Sequence, residues 1–163
     1  MFDLIGGLPV HALVVHVVVV LLPLLAVVTV VFVIRPRWRS ELPWAILGNL
    51  LVFGASLVAK KSGLNLQARL SGLTGRPVAT WHAHLANWLP YFAFAQLLAS
   101  VLAWLLIRSR SRRGTGASRP ALALAIVLVL VAGGAATVWT YRVGDSGARA
   151  VWQGTIANTK PHP

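Results

Sequence analysis

Four long stretches of the chain are almost entirely apolar, and short polar or basic segments separate them. The stretches cover residues 9–34, 42–59, 78–107 and 120–143. Each is close to or longer than the roughly 20 apolar residues that a helix needs to cross the hydrocarbon core of a bilayer. We therefore predict an all-α integral membrane four-helix bundle over residues 1–152, followed by a disordered tail over residues 153–163.

Two segments add detail to this plan. Pro23 lies inside the first stretch, where its missing N–H should kink the helix. Between the second and third stretches, Leu66, Leu70 and Leu73 recur at helical spacing among basic residues. This pattern predicts a short helix over residues 64–73 that lies in the membrane interface.

The composition and charge of the chain also indicate a small membrane protein. Of its 163 residues, 57% are hydrophobic and 11% are charged, and the mean hydropathy is +0.74. The net charge of +12 arises from 15 Lys and Arg against only Asp3, Glu41 and Asp145. Because most of the cations flank the apolar stretches, the lipid bilayer is the expected partner and nucleic acid is not.

The basic residues predict the orientation of the bundle. Three of them lie in residues 35–41 and five in residues 108–119, whereas the segment before the first stretch has none. Cytoplasmic loops are enriched in Lys and Arg, so these two connectors should be cytoplasmic. Both chain termini should then lie on the extracytoplasmic side.

Four histidines are the main clue to function, since the predicted topology places all of them near the outer face: His11, His16, His82 and His84. Ionisable side chains are costly to keep near lipid, so a cluster of them indicates a site. The members of the first pair lie about 140° apart around a helix, and those of the second pair about 200° apart. Only one ring from each pair can therefore reach a common ligand.

A b-type haem is the first ligand that this arrangement favours, because it needs two axial imidazoles on facing helices and apolar walls. We expect His16 and His82 as the axial ligands, with His11 as the alternative to His16. His16 is favoured because it is the deepest of the four and valines surround it. Such a redox module would pass electrons to a quinone or to a redox protein.

A transition metal such as copper or zinc is the second candidate, with ligands drawn from the same four histidines and with Asp145 as a further ligand at the same level. Asp145 and Tyr141, at the end of the fourth helix, could orient a ligand histidine from behind. With no cysteine, the chain cannot hold a thiolate-bound iron–sulfur cluster or attach a c-type haem covalently.

The third alternative is a cofactor-free accessory or structural membrane subunit, whose histidines only make hydrogen bonds. A second copy of the chain or a larger membrane complex would then be its partner. The sequence has no nucleophile–base–acid set, no paired carboxylates and no phosphate-binding glycine loop. We therefore expect an electron-transfer or binding protein rather than an enzyme with its own substrate.

Four separated segments resemble a bacterial membrane-protein family, the domain-of-unknown-function family 2231. They are GLPVHALVVH from Gly7, the Ser62–Gly63 pair, HAHLAN from His82 and RVGDSGARAVW from Arg142. The resemblance implies a four-helix domain in the bacterial cytoplasmic (inner) membrane, with histidines at the positions of His11, His16 and His82. Some relatives are joined to redox domains, which implies electron transfer. At the positions of His84 and Asp145, the resemblance implies other residue types in relatives.

Overall fold

The computed structural model describes residues 4–5, 7–69, 77–111 and 118–157, and four long helices make up most of them. The helices are α1 (Val10–Ile34), α2 (Leu42–Arg69), α3 (Pro77–Ser111) and α4 (Arg119–Ala157). A small antiparallel hairpin of β1 (Leu4–Ile5) and β2 (Leu8–Pro9) precedes α1, and its turn contains Gly7 at a φ of +82°. A 3-10 helix over Pro36–Glu41 connects α1 to α2.

The break between α1 and α2 follows from the local sequence. Pro36 cannot continue a helix and restricts the residue before it, so α1 ends at Ile34. The same proline suits the first position of the 3-10 helix that follows. The Arg39 Nε donates a hydrogen bond to the Val33 carbonyl at 3.1 Å, which satisfies one of the carbonyls at the end of α1.

The four helices form an up-down-up-down bundle. Each of α1 and α3 packs mainly between α2 and α4, so that α1 and α3 lie diagonally opposite each other. The first residues of α1 and α3 and the last residues of α2 and α4 meet at one end, which we call the outer end. The described chain therefore begins and ends at the same end of the bundle.

The surface of the bundle is that of a protein surrounded by lipid. The four segments long and apolar enough to span a membrane are Val10–Ile34, Pro36–Ala68, Ala79–Arg108 and Arg119–Trp152, and at most 33% of the most apolar part of each is buried. Large apolar side chains such as Val20, Leu51 and Val131 are more than 60% exposed. This arrangement confirms the prediction of an all-α four-helix membrane protein.

The helices are longer than the apolar stretches that predicted them. Helix α2 continues through Arg69, so residues 64–69 extend α2 and do not begin a separate interfacial helix. The remainder of the predicted segment 64–73 lies outside the described residues. Helix α4 continues to Ala157, which makes residues 153–157 helical, while residues 158–163 of the predicted tail also lie outside the description. Hydropathy marks the edge of the hydrocarbon, whereas a helix can continue into the polar interface.

Polar side chains form a buried layer between two apolar clusters. Asn49 Nδ2 donates to Thr29 Oγ1 at 3.1 Å and to Ser100 Oγ at 3.3 Å. Gln96 Nε2 donates to Asn49 Oδ1 at 2.7 Å and to the Leu22 carbonyl at 3.2 Å. The outer cluster is centred on Val18, Leu22, Val52, Leu85 and Leu89, and the inner one on Val33, Leu42, Ala99, Ala103 and Val129. The polar layer joins α1, α2 and α3 at mid-bundle depth.

Candidate functional site

The four histidines singled out from the sequence divide into an inward and an outward pair. His16 and His84 are exposed on the surface of α1 and α3. The Nδ1 of His16 donates to the carbonyl of Ala12 on its own helix, and the ring of His84 stacks on Trp81 with centroids 5.9 Å apart. The structure therefore does not bring His16 and His82 together, and His11 takes the place expected for His16.

His11 is held against α2 at the outer end. Its Nδ1 lies 2.9 Å from the carbonyl oxygen of Ala59. Because a carbonyl can only accept, the neutral ring must carry its proton on Nδ1, which leaves the lone pair on Nε2 available. The ring packs directly on Gly63, where a Cβ would lie 2.9 Å from the His11 Cε1. A side chain at that position would displace the imidazole.

His82 is held against α4 in a similar way. Its Nδ1 lies 3.0 Å from Ser146 Oγ, and that hydroxyl is 2.9 Å from the carbonyl of Val143. Since the hydroxyl donates its single proton to Val143, it accepts from His82, and the neutral ring carries its proton on Nδ1. A Cβ on Gly147 would lie 3.0 Å from the His82 Cε1. The His82 Nε2 is therefore also left with a lone pair.

The two inward rings occupy diagonally opposite helices at the same end of the bundle. The side chains of His11 and His82 are both half-buried. The buried side chains of Val18, Leu85 and Leu89 form the apolar cluster nearest to them. In histidines that bind metal, a hydrogen bond typically fixes one ring nitrogen, and the other nitrogen keeps a lone pair for the metal. Chemically, each ring can therefore offer one nitrogen as a ligand.

The structure does not assemble the larger ligand set considered for copper or zinc. Among residues 4–5, 7–69, 77–111 and 118–157, no group of three or more His, Asp or Glu could hold a metal ion. Asp145 forms an exposed ion pair with Arg149, with 2.9 Å between Oδ2 and Nε. Tyr141 is 73% exposed. It is Ser146, and not Asp145 or Tyr141, that contacts His82.

A groove between α3 and α4 opens beside Ser146. It has a volume of about 260 Å³ and is lined by Trp81, Leu85, Tyr141, Arg142, Asp145, Ser146 and Arg149. Arg142 also lies over the ring of Trp139, 5.5 Å from its centroid. The groove therefore carries two guanidinium groups and one carboxylate, and Arg149 is paired with Asp145.

The residues that hold the two imidazoles were not identified from the sequence. They are Ala59 and Gly63 on α2, and Ser146 and Gly147 on α4. A signal was present, because a Ser-Gly dipeptide occurs near the outer end of both helices, at Ser62–Gly63 and at Ser146–Gly147. Each glycine admits a ring from the neighbouring helix, which neither periodicity nor charge can reveal.

Comparison with known proteins bears on the family and not on the ligand. No curated protein matches the chain, and no solved structure matches it. A family model described as a predicted membrane protein (DUF2231) matches residues 7–160, which include all four helices and both inward histidines. The chain therefore belongs to the domain-of-unknown-function family 2231 of predicted membrane proteins.

Proposed function

We propose that this protein is a membrane redox module that binds a b-type haem between His11 and His82. The proposal rests on the hydrogen bonding of the two imidazole rings. Each anchors its Nδ1–H on a neighbouring helix, at Ala59 or Ser146, and keeps the Nε2 lone pair free. Two neutral imidazoles on facing helices are the ligands that a low-spin haem iron takes.

The surroundings of the rings fit this ligand. The apolar cluster around Val18 and Leu89 suits the porphyrin faces, and Arg142 on the groove beside Ser146 can pair with a propionate. When bound, the haem supplies reversible one-electron transfer. His11 and His82 would hold it, with their ring orientations fixed by Ala59 and Ser146. Electrons would then pass at the outer end to a quinone in the bilayer or to an external redox protein.

Copper is a second candidate, because the number of histidine nitrogens available as ligands favours it. No group of three or more His, Asp or Glu that could hold a metal ion occurs in the part of the chain that the structure describes, and cuprous ion accepts two nitrogen ligands in line. Zinc is disfavoured, since its protein sites ordinarily have three or four ligands. A cofactor-free role would leave both rings as purely structural hydrogen-bond donors.

Titration of the detergent-purified protein with haemin, followed by absorption, tests the proposal. We expect one haem per chain, a sharp Soret band that shifts on reduction, and its loss in His11→Ala and in His82→Ala. The matched controls are His16→Ala and His84→Ala, which remove the outward rings of the same helices and should leave the spectrum unchanged. A colourless protein that retains stoichiometric copper would support the second candidate. A protein that binds neither would overturn both.

A further inference from the structure

Helices α2 and α4 share one pattern of buried positions. When the sequences of α2 and α4 are aligned so that Ala45 corresponds to Val129, six buried residues of α2 correspond to six buried residues of α4. The pairs are Ala45 and Val129, Asn49 and Gly133, Val52 and Ala136, Ser56 and Thr140, Ala59 and Val143, and Ser62 and Ser146. The same alignment places Gly63 on Gly147. Both helices therefore present equivalent faces to the interior.

Helices α1 and α3 correspond at fewer positions. When His11 is aligned with His82, three of the six buried residues of α1 coincide with buried residues of α3, namely Val18 with Leu89, Leu22 with Ala93 and Thr29 with Ser100. The contacts between helices follow the same correspondence. The ring of His11 packs on Gly63 of the next helix, as the ring of His82 packs on Gly147 of the next helix.

We infer that the chain is a duplicated helical hairpin, α1–α2 followed by α3–α4, and that each half supplies one equivalent imidazole to a ligand on the axis between them. Parallel repeats in a membrane are related by a pseudo-two-fold axis along the membrane normal. The ligand is then a single metal centre with two opposed coordination positions. Gly63 and Gly147 are positioning residues, because the space above each glycine determines where the ring can lie. This inference rests on the part of the proposed function in which both rings share one ligand, and not on haem.

The contacts that hold the two rings largely correspond as well. His11 Nδ1 donates to the carbonyl of Ala59, and His82 Nδ1 lies 3.0 Å from the hydroxyl of Ser146, which donates to the carbonyl of Val143, the equivalent of Ala59. Ser62, the equivalent of Ser146, likewise donates to the carbonyl of Ala59, at 3.1 Å, and also to that of Val58. The halves differ in that the hydroxyl of Ser146 contacts an imidazole, whereas that of Ser62 contacts main-chain carbonyls.

Silver ion is the probe for this inference, because it is redox-inert and favours two nitrogen ligands in line. The protein would be labelled with ¹⁵N-histidine and would carry Gln in place of His16, His84 and His162. Nitrogen NMR should show both remaining Nε2 resonances shifting together and reaching an end point at one silver ion per chain. Gly63→Ala and Gly147→Ala should each weaken binding by a similar factor of at least about tenfold. Gly54→Ala and Gly134→Ala are the matched controls on α2 and α4, since a Cβ there meets nothing within 4 Å.

The outcomes separate this inference from the haem proposal. Silver uptake on both rings without haem uptake would reject the haem and leave the equivalent half-sites standing. A shift of only one ring, no silver binding, or an effect of only one of the two glycine substitutions would overturn the inference. The titration of the chain with both glycines intact decides the question even if an alanine variant fails to fold.

Discussion

At the scale of single residues, the proton positions of His11 and His82 determine what the site can do. An imidazole whose Nδ1–H is fixed by an acceptor presents Nε2 as a ligand in a set direction. The acceptor for His11 is a main-chain carbonyl, which no substitution of a side chain removes directly. The acceptor for His82 is the side chain of Ser146. The two rings therefore differ in how their anchors can be tested.

Ser146→Ala should weaken ligand binding without abolishing it. The substitution removes the hydroxyl that orients His82, and loss of such a partner typically lowers metal affinity about 10- to 100-fold. Haemin titration measures the change. Ser56→Ala is the control, because the Ser56 hydroxyl is buried on α2 and bonds to the Phe53 carbonyl of its own helix, away from both rings. Equal affinities for the Ser146 and Ser56 variants would contradict the assigned role of Ser146.

The sequence predicted that only one ring of each histidine pair could reach a common ligand, and the structure places one ring of each pair inward and the other on the surface. That the two inward rings share a ligand stays a prediction. The sequence did not identify which ring of the first pair lies inward, and the reason is physical. His16 was favoured because valines surround it, but lipid and a protein core both accept valine. In a membrane, apolar neighbours do not distinguish a ring that faces the bundle from one that faces lipid. Only the packing of α1 on α2 and α4 places His11 inside.

At the scale of secondary structure elements, the buried amide of Asn49 links three helices. It hydrogen-bonds Thr29 of α1 and both Gln96 and Ser100 of α3, while it also donates to Ala45 of its own helix. Hydrogen bonds between membrane helices average about 0.6 kcal/mol each and reach about 1.7 kcal/mol. Several of them at one residue should therefore make a measurable contribution to the association of the helices.

Asn49→Ala should lower the free energy of unfolding by about 1–2 kcal/mol, because it removes the hydrogen bonds to α1 and α3 together. Denaturation by SDS in mixed micelles, followed by circular dichroism, measures this loss. Ser56→Ala is the control, since Ser56 is equally buried on α2 and donates only to Phe53 of the same helix. An Asn49 variant as stable as the Ser56 variant would show that the polar layer does not hold the helices together.

The number, order and approximate centres of the helices followed from hydropathy. A continuous stretch of about 20 apolar residues in a membrane has few alternatives to a spanning helix. The helix ends did not. Residues such as Arg142, Asp145 and Arg149 interrupt the apolar pattern but still lie on α4, with Asp145 and Arg149 paired one turn apart. The hydrocarbon boundary and the helix boundary are different physical limits, and the sequence pattern reports only the first.

At the scale of the whole molecule, the distribution of charge predicts which end faces the cytoplasm. Arg37 and Arg39 lie in the 3-10 helix and Arg35 directly precedes it, at the end opposite the two inward histidines. The positive-inside rule predicts that this end is cytoplasmic and that the site lies near the extracytoplasmic face. Partners that exchange electrons with it would then approach from outside or within the outer leaflet.

Single cysteines can test this orientation, since the chain has none of its own. Lys61 and Ser40 are exposed near the outer and the opposite end of the bundle, respectively. A membrane-impermeant maleimide applied to intact spheroplasts should label Lys61→Cys and not Ser40→Cys. Permeabilised cells should label both, which controls for reactivity. The reverse pattern in intact cells would place the site on the cytoplasmic side.

The central claim is that His11 and His82 bind one centre from opposite sides. Electron paramagnetic resonance of the oxidised, haem-loaded protein tests it most directly, because a ferric haem is low-spin with two imidazole ligands and becomes high-spin when one is lost. We predict a low-spin signal in the unsubstituted protein and in His16→Ala, and its loss in both His11→Ala and His82→Ala. A low-spin signal that survives either of the last two substitutions, or one that disappears with His16, would contradict the claim.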